Sequence, residues 1–133
     1  MPYQYSLFQL PGGTRCARIE WTGVATGEAA AALVAECAPG QPLYGLPMLI
    51  LTQKMETMEA RARSVFSSRS VTPLSEFLAI VASNPIIRVA TNFIMRLTKN
   101  PRQRMFPTEA EALGWLDERT REYAAAHPDP GAP

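Results

Sequence analysis

The side chains that could do chemistry are few, and in the sequence they do not converge. Cys16 and Cys37 stand alone, each without a second cysteine or a histidine at metal-ligand spacing. They read as packed thiols rather than a zinc site or a disulfide framework. The only histidine, His127, lies in the C-terminal stretch HPDPGAP, far from either thiol, so no Cys–His pair is available for nucleophilic catalysis. Gly12-Gly13 falls between two strand-like runs rather than ahead of a helix, which argues against a phosphate-cradling loop. No cluster of Asp and Glu marks a strand end. The expectation is a non-enzymatic protein with no cofactor and no metal.

What the sequence does collect is cations. In MRLTKNPRQRMFPTEAEALGWLDE, residues 95–118, a basic run ends an apolar helix. Arg88, Asn92, Arg96 and Lys99 share one helical face, Arg102 and Arg104 follow, and Arg63 lies on the polar side of an earlier segment. Lys and Arg near a helix C-terminus complement its dipole, which accounts for Arg96 and Lys99 better than for Arg88. A cationic helix face can also steer an acidic protein partner or an anionic lipid head. Arg88, Asn92, Arg96, Lys99 and Arg63 are therefore the partner-binding candidates. The formal net charge of only +1 argues against a general nucleic-acid binder.

These residues need elements to carry them. Residues 3–10 alternate, with Tyr3, Tyr5 and Leu7 against Gln4, Ser6 and Phe8. Residues 15–22 alternate again, and Pro11-Gly12-Gly13 between them predicts a β-hairpin that ends at Gly23. Thr26 caps an Ala-rich helix that stops at Pro39-Gly40. The continuous apolar run LPMLILT predicts a buried central strand. Residues 55–66 put Met55, Met58, Ala62, Val65 and Phe66 on one helical face, which predicts a short amphipathic helix.

A loop, SSRSVTPLS, then precedes a second buried strand, EFLAIVAS. Asn84-Pro85 starts a helix whose apolar stripe is Ile86, Ile87, Ala90, Phe93, Ile94 and Leu97. RQRMF is an edge strand, to which a second copy could add. Thr108 and Glu111 form a capping box for the last helix, to about Ala126. The order β-β-α-β-α-β-α-β-α predicts one α/β domain, residues 1–126, with helices packed on a mixed sheet, and a disordered tail, residues 127–133. With 133 residues, of which 47% are hydrophobic and 19% charged, such a domain can bury a real core. Residues 1–10 lack the features of a signal peptide, and LPMLIL is too short to span a membrane, so a cytoplasmic location is expected.

Three stretches carry a resemblance over nearly all of residues 3–124. GVATGEAAAAL, EFLAIVASNPIIRVATNFIMRL and above all RMFPTEAEALGWL, with Phe106, Glu109, Glu111, Ala112, Trp115 and Leu116, resemble the STAS/SpoIIAA-like (STAS/SEC14-domain) family of anti-sigma-factor antagonists and their relatives. The resemblance implies a bacterial regulatory module that docks a protein partner through its second and third helices. The related SEC14 fold offers the alternative of a lipid or small-molecule binder with an apolar pocket between sheet and helices. Classical members carry an Asp-Ser-Ser element whose serine is phosphorylated. This chain reads LTQKMETMEARAR there, and Thr57 and Thr52 are the nearest hydroxyls.

Overall fold

A computed structural model of the chain describes residues 2–67, 77–99 and 101–126. β1 (Tyr3–Gln9) and β2 (Arg15–Ala25) form the hairpin expected from the alternation, paired antiparallel from Tyr3↔Trp21 to Gln9↔Arg15. Gly13 closes the turn at φ +94°, a conformation open to glycine, with its N–H donating to Leu10 O at 2.8 Å. The turn is tied down from outside, because Gly12 N donates to Asp117 Oδ1 at 2.8 Å.

The remaining elements are α1 (Gly27–Glu36), β3 (Met48–Met58), α2 (Ala60–Ser67), β4 (Leu78–Val81), α3 (Pro85–Thr98), β5 (Gln103–Phe106) and α4 (Glu109–Ala126). The strands lie in the order β1-β2-β3-β4-β5, and β2 through β5 are mutually parallel. Each helix crossing between sequential parallel strands with the usual right hand lands on the same face. Accordingly α1, α2 and α3 pack together on one side of the sheet, and among the described residues α4 is the helix that covers the other. The expected α/β class and element order are observed.

Helix ends follow their capping residues. Thr26 accepts from Ala29 N at 3.1 Å, and Asn84 Oδ1 accepts from Ile86 N at 2.8 Å ahead of Pro85. Thr108 Oγ1 accepts from Glu111 N at 3.3 Å, which is one arm of the expected capping box. Lys99 ends α3 in the left-handed region at φ 51°.

One expectation fails instructively. Met55 and Met58 do not open a helix. They belong to β3, which runs on to Met58, and α2 starts only at Ala60. Two register shifts against β2 explain the error: Glu20 pairs with Leu51 but Thr22 with Lys54, and Gly23 pairs with Met55 but Val24 with Thr57. At each shift β3 carries one residue more than its neighbour, a β-bulge. The bulges bring Thr52, Met55 and Met58, spaced three apart, all inward, so a bulged strand acquires the spacing of a helix. For the same reason β2 passes through Gly23, at φ +68°, rather than stopping there. The fourth strand is the shorter Leu78–Val81. Of the expected loop at 67–75, Ser67 instead ends α2, and the rest lies outside the described residues, as does the tail from His127.

Two cores flank the sheet. On the three-helix side Trp21, 1% exposed, packs with Tyr3, Ile19, Leu33, Met48, Met55, Ala62, Ile87 and Ile94. The Trp21 ring lies 5.1 Å from that of Tyr3 and 5.9 Å from that of Phe66. Tyr3 donates to Glu36 Oε2 at 2.7 Å. Burial, and then this carboxylate, push its phenol above the ordinary value. On the α4 side Leu10, Cys16, Leu49, Leu51, Val81, Phe106, Ala112 and Leu116 form the second core. Cys37 belongs to the first core and Cys16 to the second, so the sheet separates the two thiols. Burial pushes Cys16 up to about 12 and Cys37 up to about 11. Both are the inert, packed thiols the sequence suggested.

Candidate functional site

α3 is the helix whose outer surface is least like that of a finished domain. Its inward row, Ile87, Thr91 and Ile94, rests on the sheet. The broad apolar stripe expected from the sequence does not follow it down. Ile86 is 65% exposed, Val89 71%, Phe93 54% and Leu97 52%. Only one row of side chains on a helix can meet a flat sheet. Among the described residues α2 is the helix that packs chiefly beside α3, and the second row stays largely exposed. These four residues recur at three- and four-residue steps and stand in line on the outside of the helix.

Arg88, Asn92, Arg96 and Lys99 form the adjoining row, all exposed. α2 and α3 together contain Arg61, Arg63, Arg88 and Arg96 and no acid. Among the described residues no ion pair involves Arg88, Arg96 or Lys99. Arg63 stands apart from this row. It is half-buried, and its guanidinium donates to Met58 O at 3.1 Å, which fixes it at the end of β3. From there it lines one side of a surface groove of about 410 Å³, whose other lining includes Thr57, Met58, Ile86, Ile87, Val89 and Phe93.

The later cations behave differently. The Arg102 guanidinium lies 5.4 Å from the ring centres of both Phe77 and Tyr123, and that of Arg104 lies 5.4 Å from the Phe106 ring. These are cation–π contacts on the α4 side, and they remove both residues from the α3 surface. The basic run in the sequence therefore divides into a presented row and a stacked pair. Trp115, half-buried, packs edge-on against Phe77 at 6.2 Å and tilted against Phe106 at 5.6 Å, which is a packing role.

The two threonines part company. Thr52 is 3% exposed, and its hydroxyl donates to Val81 O at 2.7 Å across β3 and β4; a kinase cannot reach it in the folded chain. Thr57 is exposed at the end of β3, on the lip of the groove. It belongs to a strand rather than to the helix start expected from the sequence. Among the described residues no group of three or more His, Cys, Asp or Glu could hold a metal, and no helix is long and apolar enough to cross a membrane.

A family model described as a domain of unknown function, DUF7793, matches residues 22–120, from the end of β2 into α4. The chain belongs to the DUF7793 family. No curated protein matches this DUF7793 chain significantly. Among solved structures it is similar to an uncharacterized protein of the DUF3478 family with a SpoIIAA-like fold from Shewanella loihica PV-4, at 15% identity and TM-score 0.61, over 86% of this chain and 93% of the other. It is also similar to an anti-sigma factor antagonist from Mycobacterium paratuberculosis, at 15% identity and TM-score 0.55, over 86% and 93%. The anti-sigma factor antagonist SpoIIAA in its unphosphorylated form gives 12% identity and TM-score 0.53, over 85% and 97%. These likenesses show that the DUF7793 chain has a SpoIIAA-like fold.

Sequence reasoning found the basic row and put Ile86, Phe93 and Leu97 in one apolar stripe with Ile87 and Ile94, without separating the exposed row from the buried one. The signal was present, because Val89 and Leu97 make the apolar arc of α3 wider than one sheet contact can bury.

Proposed function

We propose that this chain is a non-enzymatic regulatory module of the STAS type that docks a protein partner through α2 and α3. The observation that carries the reading is the outer surface of α3, where Ile86, Val89, Phe93 and Leu97 stand exposed beside Arg88 and Arg96. An exposed apolar row of this length on a small domain marks an interaction site. Helix-in-groove and helix-on-helix recognition use this spacing. The basic row selects a partner whose surface is apolar with an acidic border. The anti-sigma factor antagonists of like fold support a role in bacterial regulation. Thr57, on the lip of the groove and close in sequence to the anchored Arg63, is the hydroxyl through which phosphorylation would change docking, by adding negative charge to a basic surface.

The test is affinity capture from the native host with the wild-type chain and with a Phe93→Glu, Arg96→Glu variant, whose fold is checked by circular dichroism. A polypeptide retained by the wild type and lost by the folded variant supports the reading. Equal retention by both removes the α3 surface from the account.

A further inference from the structure

On the opposite side of α3 from the docking row lies a second feature, and it does not depend on the docking reading. Between the sheet and helices α1, α2 and α3 is a cavity of about 80 Å³. Trp21, Met48, Ile50, Met55, Met58 and Phe66 form much of its wall, with Cys37 and Val34 on the α1 side and Thr91 and Ile94 on the α3 side. Protein interiors rarely keep spaces larger than a water molecule, and so apolar a wall offers water few hydrogen-bond partners. The wall is nearly all apolar. Thr52 is part of it, but its hydroxyl is already satisfied by Val81 O. Val34, Ile50, Phe66, Leu78 and Gln103 line the cavity while keeping partial exposure, and they mark the side that opens toward solvent among the described residues.

We infer that this cavity is a binding site for a small, chiefly apolar molecule or for the tip of an alkyl chain. Size sets the class. A dry cavity of about 150 Å³ accommodates benzene, and this one is roughly half as large, so a whole acyl chain or a diacyl lipid does not fit. A short alkyl group does. Three of the lining residues are methionines, whose unbranched, polarizable side chains repack around guests of differing shape. Thr91, 3% exposed, is the one polar side chain that α3 contributes to the wall. Its hydroxyl suits a guest with a single hydroxyl or carbonyl on an otherwise hydrocarbon body.

The methionines provide the readout. With methyl-¹³C methionine, the Met48, Met55 and Met58 signals report the cavity, whereas Met95 and Met105 lie outside its lining. Xenon, and then the series ethanol to hexanol, are titrated into the protein. The expected result is saturable shifts confined to Met48, Met55 and Met58, with affinity rising to about four carbons and then falling. Thr91→Val should weaken butanol about fivefold while leaving xenon unchanged. Thr91→Met should fill the space and abolish both responses. If that variant does not fold, Val34→Phe at the half-exposed rim serves the same purpose. Linear, unsaturating shifts across all methionines, or saturable binding that survives both filling variants, would overturn the proposal.

Discussion

α3 and α4 are both long helices laid on the same sheet, yet they meet water in opposite ways. The exposed side of α4 is polar and internally paired. Arg119 bridges Glu118 at 2.9 Å and Glu122 at 3.1 Å, and Arg121 bridges Asp117 at 2.8 Å. Its start is held to the sheet by Arg18 and Glu109, 3.3 Å apart, within a set that also joins Glu20 and Lys54. Lys54 and then Arg18 hold the Glu20 carboxyl below its ordinary value. α3 instead exposes apolar residues, and cations that form no ion pair among the described residues. Charge divides the same way: α4 holds Glu109, Glu111, Asp117, Glu118 and Glu122 against Arg119 and Arg121, while α2 and α3 hold only cations. The surfaces of α3 and α4 thus differ in sign, although α1, on the same side as α3, carries Glu28 and Glu36. One helix is finished as a surface, and the other is left as one side of a contact.

The contrast can be broken at several points. The largest effect is expected in the α4 core. Leu116 is fully buried, so Leu116→Ala should cost about 2–5 kcal/mol in urea unfolding. Phe93→Ala on α3 should stay within about 0.5 kcal/mol; a cost like that of Leu116 would mean that the exposed row is structural. For docking the order reverses. Phe93→Glu with Arg96→Glu should weaken the captured partner by about 2 kcal/mol or more, roughly thirtyfold, measured by calorimetry, whereas Arg119→Glu on α4 should leave it unchanged.

Alkaline unfolding comes next. The folded values of Cys16 and Cys37 lie above the ordinary thiol value near 9. The folded chain therefore holds those protons longer than the unfolded one. The contribution is complete below pH about 9 and is lost as pH rises through about 11 and 12. Stability measured from pH 8 to 11 should fall, and less steeply in a Cys16→Ala, Cys37→Ala variant. The smallest effect is at the helix starts, where Asn84→Ala and Thr108→Ala should each cost about 1 kcal/mol. Equal losses would show that α3 is anchored as firmly as α4, despite its uncovered side.

Much of this was legible beforehand because it rests on local rules. The hairpin follows from two alternating runs around Pro11-Gly12-Gly13, and α1 and α3 begin where Thr26 and Asn84 place them. Two things were not. Bulges in β3 gave a strand the three-residue spacing of a helix, and a bulge depends on the neighbouring strand, which no single window contains. The second was which apolar residues of α3 face inward. Periodicity gives the direction of an apolar arc but not the number of neighbours available to bury it. Only the fold shows that, among the described residues, α3 packs chiefly on the sheet and α2. The same limit hid the stacking of Arg102, which needs Phe77 and Tyr123 brought together from distant parts of the chain.

The strand order has a consequence for how the molecule is made. Every strand pairs with its neighbour in sequence, so each pairing closes only a local loop, the arrangement that favours rapid folding. A chain leaving the ribosome can lay down β1 to β5 in turn, with α1 to α3 closing one side as they appear. The other side has to wait. Among the described residues, α4 is the helix that covers Leu10, Leu49, Leu51 and Val81, and it follows all five strands in the chain. Until Leu116 arrives, the nascent sheet is amphipathic and exposed to aggregation, and a chain that stops before Thr108 would remain so.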